Sequence, residues 1–463
     1  MSVIKRAHGE EQPYWKMGPF HVRLPFIHYR WEWAEAIQGM IMFVVGMAMI
    51  PLLEKYLGLP YDVALAYVVV CGVGFMLPNL LGVPLVPGWI TPAIPVVVLF
   101  LGQFEAGPEA IRALVGLQLL VTFIFFFLGI TRLGSKMVDL FPDSMKAGIL
   151  IGAGIAALTG EISEGGRLAA TPISLVIGFL VTAYFLFSLS FKDVIEKSKI
   201  LKIISGYGMV PGTLVAMGIG WAVSEYPLPD IQWGFSAPAF GEMINYLPLT
   251  LGMPSMEMLL TAIPTAIIAY IIAFGDIVVG KSLLDRVDHL RPDEKIDLDV
   301  DRLHLVTGLR NLIHSFLAPY PGLAGPMFTG AMATIAERYR QGRGAMDSIY
   351  SGAGIFWIVG FIALFMLPLI TLFKPVLPIA LSITLLITGY LCISVGVEQV
   401  KNATQMGVAG TMAVVLAVYG AGYGLAAGVV LYLLIEYRGK SAKESQFAEQ
   451  EPIEVVEDQA ART

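Results

Sequence analysis

The sequence predicts an all-α polytopic membrane protein of about fourteen transmembrane segments, arranged as two sets of seven in an inverted repeat. Three observations carry that expectation. Hydrophobic residues make up 56% of the 463 and charged residues 14%, whereas a soluble domain carries about 25% charged residues. Apolar runs of about 20 residues, enough to span a bilayer, recur along the chain. Two runs are too short to span alone and follow Pro/Gly-rich approaches at corresponding places in the two halves, which is how half-helices announce themselves.

The N-terminal segment, 1–30, is polar and aromatic, lacks the apolar stretch of a cleavable signal peptide, and is expected in the cytoplasm. Helices are predicted over 33–54, 62–80, 92–103, 110–130, 143–159, 171–190 and 203–223 in the first set. The second set is predicted over 256–282, 303–317, 326–338, 348–370, 375–395, 404–421 and 423–437. The short third segment follows Val83-Pro-Leu-Val-Pro-Gly-Trp-Ile-Thr-Pro92, and the short tenth follows Ala318-Pro-Tyr-Pro-Gly-Leu-Ala-Gly-Pro326. Gly325 lies 234 residues after Thr91, and the first and eighth helices begin with a similar offset. The fifth and twelfth helices open at Phe141-Pro-Asp-Ser and Phe373-Lys-Pro-Val. An odd-numbered unit placed twice must be inverted in the membrane.

Lysine and arginine gather between alternate helices: Arg132, Lys136 and Lys146; Lys192, Lys197, Lys199 and Lys202; Arg286, Arg291, Lys295 and Arg302; Arg338, Arg340 and Arg343; and Lys401. The stretch 224–250 has none. The positive-inside rule then puts both termini in the cytoplasm and 224–250 outside, in a plasma or inner membrane. The connection 283–302 reads as a solvated mixed-charge loop, His289 included, without regular metal-ligand spacing. The Glu-rich end, 439–463, reads as a disordered cytoplasmic tail. Cys71 and Cys392 lie in apolar runs and imply neither disulfide nor metal.

One acid stands inside a span: Asp276, in Ile267-Ile-Ala-Tyr-Ile-Ile-Ala-Phe-Gly-Asp-Ile-Val-Val279. A carboxylate at bilayer depth costs about 2.5–3.5 kcal/mol even on the lenient insertion scale, so it faces protein, water, an ion or a solute. The approaches to the short segments force extended backbone before helices starting near Ala93 and Met327. Each helix N-terminus carries roughly half an elementary charge and several free N–H donors, which suits an anion or a polarised carbonyl. Arg310, Asn311 and His314 share one short helix, with Arg310 and His314 on one face, and are read as its anchors. No GxxxxGK[ST] phosphate loop and no nucleophile–base–orienter pattern occurs, so neither an ATPase engine nor an enzyme is expected. No cofactor, metal or nucleic-acid partner is expected beyond a coupling ion, H⁺ or Na⁺, with Na⁺ at Asp276 if a metal ion binds at all. The expected partners are the lipid bilayer and a small-molecule solute.

Several short motifs support a resemblance: Ala36-Ile-Gln-Gly-Met40 through Ile50-Pro-Leu-Leu53, Phe141-Pro-Asp-Ser-Met-Lys-Ala-Gly148, Gly275-Asp276, Gly308-Leu-Arg-Asn-Leu312 and Pro321-Gly322. At these residues the chain resembles the nucleobase/ascorbate (xanthine/uracil) permease family and its relatives, the SulP anion transporters. The resemblance implies a core domain (31–132, 224–347 and 348–370), a gate domain (133–223 and 371–438), a homodimer, and transport by an elevator-like or rocking movement of core against gate. The family's base-binding Glu of the eighth helix falls on Ile272, and its polar pair of the tenth falls near Met327 and Phe328, while Gly330 keeps the motif's glycine. A SulP-like arrangement would use Asp276, with Gly275 beside it and the small Gly280 one turn on, as the cation-coupling site. The substrate would be held at Thr91, Ala93, Gly325, Met327, Phe328 and Gly330, with Gln38 and Thr329 as side-chain donors. The function so implied is secondary active symport of a small anionic or heterocyclic solute, xanthine/uracil-permease-like, with H⁺ or Na⁺. A SulP-like anion:Na⁺ symporter and a passive channel or facilitator are the alternatives.

Overall fold

The computed structural model describes residues 3–134, 142–163, 166–195, 201 and 209–437. Lys136, Phe141, Lys197, Lys199, Lys202, the opening of the expected seventh helix at 203–208 and the tail 439–463 lie outside the described residues.

The N-terminal segment holds three short strands, β1 (Glu10–Glu11), β2 (Trp15–Met17) and β3 (Phe20–Val22). Then come α1 (Trp33–Met47), α2 (Ile50–Leu57), α3 (Tyr61–Leu80) and β4 (Gly88–Trp89). A 3-10 turn, Thr91–Ala93, leads into α4 (Ile94–Leu101). The first half ends with α5 (Pro108–Thr131), α6 (Asp143–Ile162), α7 (Pro172–Phe187) and α8 (Val210–Ala222). The second half begins with α9 (Met256–Asp288), β5 (Glu294–Lys295), α10 (Val300–Leu317), β6 (Ala324–Gly325) and α11 (Thr329–Tyr339). It closes with α12 (Ile349–Ala363), α13 (Leu367–Phe373), α14 (Leu377–Gln399), α15 (Ala403–Tyr419) and α16 (Ala421–Leu431).

A helix stands at each of the expected places, and the chain is an integral membrane protein of all-α type. Five helical stretches are long and apolar enough to cross a bilayer: Tyr61–Leu80, Pro108–Thr131, Asp143–Ala170, Met256–Asp285 and Leu367–Gln399. Shorter apolar helices fill the remaining places. Two expected helices are broken. The run 33–54 splits into α1 and α2, and the run 348–370 into α12 and α13. Pro51 and Pro368 stand in the opening turns of the second pieces. A proline has no N–H to continue a helix, and its ring clashes with the carbonyl four residues back. The tenth helix starts at Thr329 rather than Met327, because the Phe328 N–H is drawn to the Val86 carbonyl (2.7 Å).

The helices fall into two packing groups. In one, α1 lies on α12, α3 on α10 and α12, α5 on α9 and α10, and α11 on α9 and α12. In the other, α6 packs between α14 and α15, α7 on α8 and α14, and α15 on α16. The groups touch through α1 with α14, α4 with α6, and α9 with α6 and α16.

The loop 283–302 differs from its expected solvated state. The eighth helix runs on to Asp288, and β5 pairs in parallel with β1. Arg6 reaches across to Asp293 (2.8 Å) and Glu294 (3.3 Å), and Arg291 grips Asp293 (2.6 Å). Glu294 is buried and accepts a hydrogen bond from Ser348, which also caps α12. The Arg291 hydrogen bonds hold the Asp293 carboxyl at about 2. His289 is exposed, as expected.

Candidate functional site

The two Pro/Gly-rich approaches meet. β4 and β6 run antiparallel with Gly88 opposite Gly325 and Trp89 opposite Ala324. Only glycine fits here. A Cβ on Gly325 would lie 2.6 Å from the Trp89 carbonyl carbon, and one on Gly88 would lie 2.8 Å from the Met327 carbonyl oxygen. The crossing continues through the Ile90 N–H, which donates to the Gly322 carbonyl (3.0 Å). The antiparallel sense is what an inverted repeat requires, and it starts two half-helices from one buried point.

The crossing is held from α10. Arg310 donates to the carbonyls of Gly325 (2.6 Å) and Gly88 (3.1 Å), one from each half of the chain. Asn311 clamps the backbone of Ala324, donating to its carbonyl (2.9 Å) and accepting from its N–H (2.9 Å). Trp89 stacks on Tyr320 (4.3 Å) and meets Phe75 edge-on (4.4 Å), and Phe75 stacks on Trp357 (4.0 Å). The Trp357 indole N–H donates to the Pro87 carbonyl (2.9 Å). Arg310 and Asn311 therefore anchor the strand crossing, and not merely their own helix. His314 packs against Gly74 and Trp89, and neither ring nitrogen has a partner among the described residues.

The half-helices are unequal donors, which differs from the expectation of several free N–H donors at each N-terminus. In the first, Pro92 and Pro95 have no N–H, the Ala93 N–H bonds Ile90 (2.9 Å), and the Ile94 N–H bonds Thr91. Thr91 is left as the free donor of that turn. In the second, α11 opens with the N–H groups of Thr329, Gly330 and Ala331 unbonded among the described residues. Thr329 and Gly330 are exposed, while Thr91 and Phe328 are partly so. Ala93, Gly325 and Met327 are buried and act as walls rather than as open contact surface.

Asp276 lies on α9, the helix that touches the 3-10 turn, α4 and α11. Its carboxylate is partly accessible and has no hydrogen-bond or ion-pair partner among the described residues. The same helix touches α6 and α16 of the other packing group. One turn on, Gly280 packs against Met327 and Leu85, where an added Cβ would lie 3.1 Å from the Met327 sulfur. Gly275 is exposed with open space around it. Gln38 is buried on α1, whose partners are α12, α14 and α3, and it makes no hydrogen bond to the described residues. The structure thus brings Gly280, Met327, Phe328 and Gly88 together, with Asp276 one turn away, whereas Gln38 stands on a helix that packs mainly elsewhere.

No protein-family model and no curated protein matches the chain. Its fold is shared with solved membrane transporters. The transmembrane domain of BicA, a cyanobacterial bicarbonate transporter, superposes with a TM-score of 0.50 at 16% identity, over 85% of this chain and 96% of that one. SLC26A9 gives 0.53 at 18% identity, over 87% of this chain and 64% of that one. The murine Slc26a9 anion transporter in its inward-facing state gives 0.50 at 17%, over 87% and 67%. These neighbours are transporters, not enzymes, and lie on the anion-transporter side of the expected resemblance. The nucleobase side gains no support. Ile272 and Met327 are buried apolar residues, and a base edge left without partners there would lose about 1–3 kcal/mol per missing hydrogen bond.

Proposed function

We propose that this chain is a secondary active transporter of a small inorganic or organic anion, coupled to Na⁺ or H⁺ through Asp276. The observation that carries the reading is the opening of α11. Three successive N–H groups without carbonyl partners stand at the positive end of a helix, next to an accessible surface. The anion would be bound by the N–H groups of Thr329, Gly330 and Ala331, with the Thr329 hydroxyl and the Thr91 N–H as further donors. Asp276 would hold the cation about one turn from Met327. In a low-dielectric site an unpaired ion is costly, so cation and anion favour each other's binding, and that mutual preference is the coupling. Both sites lie on helices of one packing group, α9 and α11. Movement of this group against the other would carry both ions together, with a homodimer supporting the second group.

The test is uptake into proteoliposomes of bicarbonate, chloride, sulfate and, as a neutral comparison, uracil, with and without a Na⁺ or pH gradient. Anion uptake driven by one gradient, with Asp276→Asn losing the drive, supports symport. Equal flux in Asp276→Asn without a gradient means a passive facilitator, and uptake of uracil alone refutes the anion reading.

A further inference from the structure

Arg310 is fully buried in the first packing group, beneath the strand crossing. Its terminal nitrogens are spent on the Gly325 and Gly88 carbonyls, and its Nε has no partner. No carboxylate pairs with it among the described residues; the Phe75 ring centre lies 5.2 Å from its guanidinium, and Cys71 stands one turn before Phe75 on α3. Backbone carbonyls solvate a guanidinium but do not neutralise it. A full positive charge at bilayer depth without a counterion is rare unless something else supplies the negative charge.

We infer that Arg310 is an affinity-setting positioning residue whose counterion is the transported anion itself, felt through the strand crossing rather than touched. The geometry fits that role. Arg310 grips Gly325, and four residues of extended chain, at most about 14 Å, separate Gly325 from Thr329. At such a separation, with an effective dielectric near 20, one unit charge changes the affinity of a monovalent anion roughly tenfold. For a divalent anion the effect is squared, about a hundredfold. The guanidinium also fixes the crossing mechanically, so the two roles need separating. This inference rests on the anion-transport reading.

The experiment is equilibrium binding of chloride, bicarbonate and sulfate to the full-length protein in nanodiscs. Four variants are compared: Arg310→Lys, Arg310→Gln, Cys71→Asp and Cys71→Asn. Cys71→Asp adds a counter-charge on the facing helix α3 without removing the guanidinium, so it serves even if Arg310→Gln does not fold. The expected result is a loss of about tenfold for monovalent anions and a much larger loss for sulfate in Arg310→Gln and Cys71→Asp. Cys71→Asn is expected within about threefold of wild type, and Arg310→Lys, which keeps the charge but cannot hold both carbonyls, is expected to lose affinity alike for monovalent and divalent anions. Equal losses for every anion whatever its charge in Arg310→Gln, or no loss in Cys71→Asp, overturn the inference while leaving anion transport standing. A wild type that binds no anion of either charge overturns the proposed function, and this inference with it.

Discussion

Replacing Gly325 with alanine tests the strand crossing directly. The new Cβ would sit 2.6 Å from the Trp89 carbonyl carbon, 2.7 Å from the Ile90 nitrogen and 2.7 Å from the Trp89 oxygen. All three are backbone atoms, so no side chain can swing aside. Relief to ordinary contact requires the strands to part by about 0.8 Å. That movement stretches the 2.6 Å bond from Arg310 to the Gly325 carbonyl past the useful range for a hydrogen bond. Overpacking of this kind costs about 1–3 kcal/mol, and a hydrogen bond to a charged group is worth about 1.5–3. The two overlap, because parting the strands relieves the clash by lengthening the bond, so a net loss of about 2 kcal/mol is expected. The start of α11 shifts with it, and anion affinity should fall about tenfold. Thermal unfolding and anion binding of the purified protein measure both. Gly407→Ala is the control, since its Cβ would enter open space. Gly88→Ala opens the same crossing from the other strand, so the double variant should cost less than the two singles together. A Gly325→Ala protein that melts and binds like Gly407→Ala would refute the claim that this crossing positions the half-helices.

Two further predictions probe other parts of the molecule. Thr329→Pro removes one free N–H of α11 at a position where proline is tolerated; Phe328 already has φ −101 and ψ 95, outside the α region that a following proline disfavours. Anion affinity should drop about five- to tenfold with α11 intact, whereas Thr329→Val, which keeps the N–H, should cost less; equal losses would assign the contact to the hydroxyl. Asp293 is held at about 2 by Arg291, below its unfolded value of about 3.9. Its stabilisation is therefore fully present above about pH 4 and is lost as the pH falls toward 2. Melting curves of wild type and Asp293→Asn should differ at pH 7 and converge near pH 2, and a constant gap across that window would contradict the assignment.

The helical architecture was legible because it depends on local composition. Runs of about 20 apolar residues and prolines at helix openings act within one segment, and the breaks at Pro51 and Pro368 could have been read from the same rule. The two Pro/Gly-rich approaches were legible too, from their matched places in the two halves, but not their pairing as strands. What lay beyond reach were contacts between distant segments. Arg310 bonds a carbonyl 222 residues away, and its position beside Asn311 on a helical face pointed only to anchoring. The strand pair between Glu10–Glu11 and Glu294–Lys295 is too short to leave a period. A charge-rich stretch ordinarily reads as solvated, so the burial of Glu294 had no local mark. The inequality of the half-helices did have one, in Pro92 and Pro95, which remove two N–H groups from the first turn.

The substrate side of the candidate site was the least legible, and the reason is physical. The donors proposed for it are the main-chain N–H groups of Thr329, Gly330 and Ala331, which lack carbonyl partners among the described residues and which every residue but proline possesses. Side-chain identity at those positions says little about what they bind. A site made of N–H groups at a helix end responds to negative charge, whereas a base-recognising site needs side-chain acceptors and donors set to one outline. An apolar wall such as Met327 would leave a nucleobase unsatisfied, but it lowers the local dielectric around an anion and strengthens its attraction to the helix end and to Arg310. The wall that argued against a base is, on this geometry, part of what would favour a small anion.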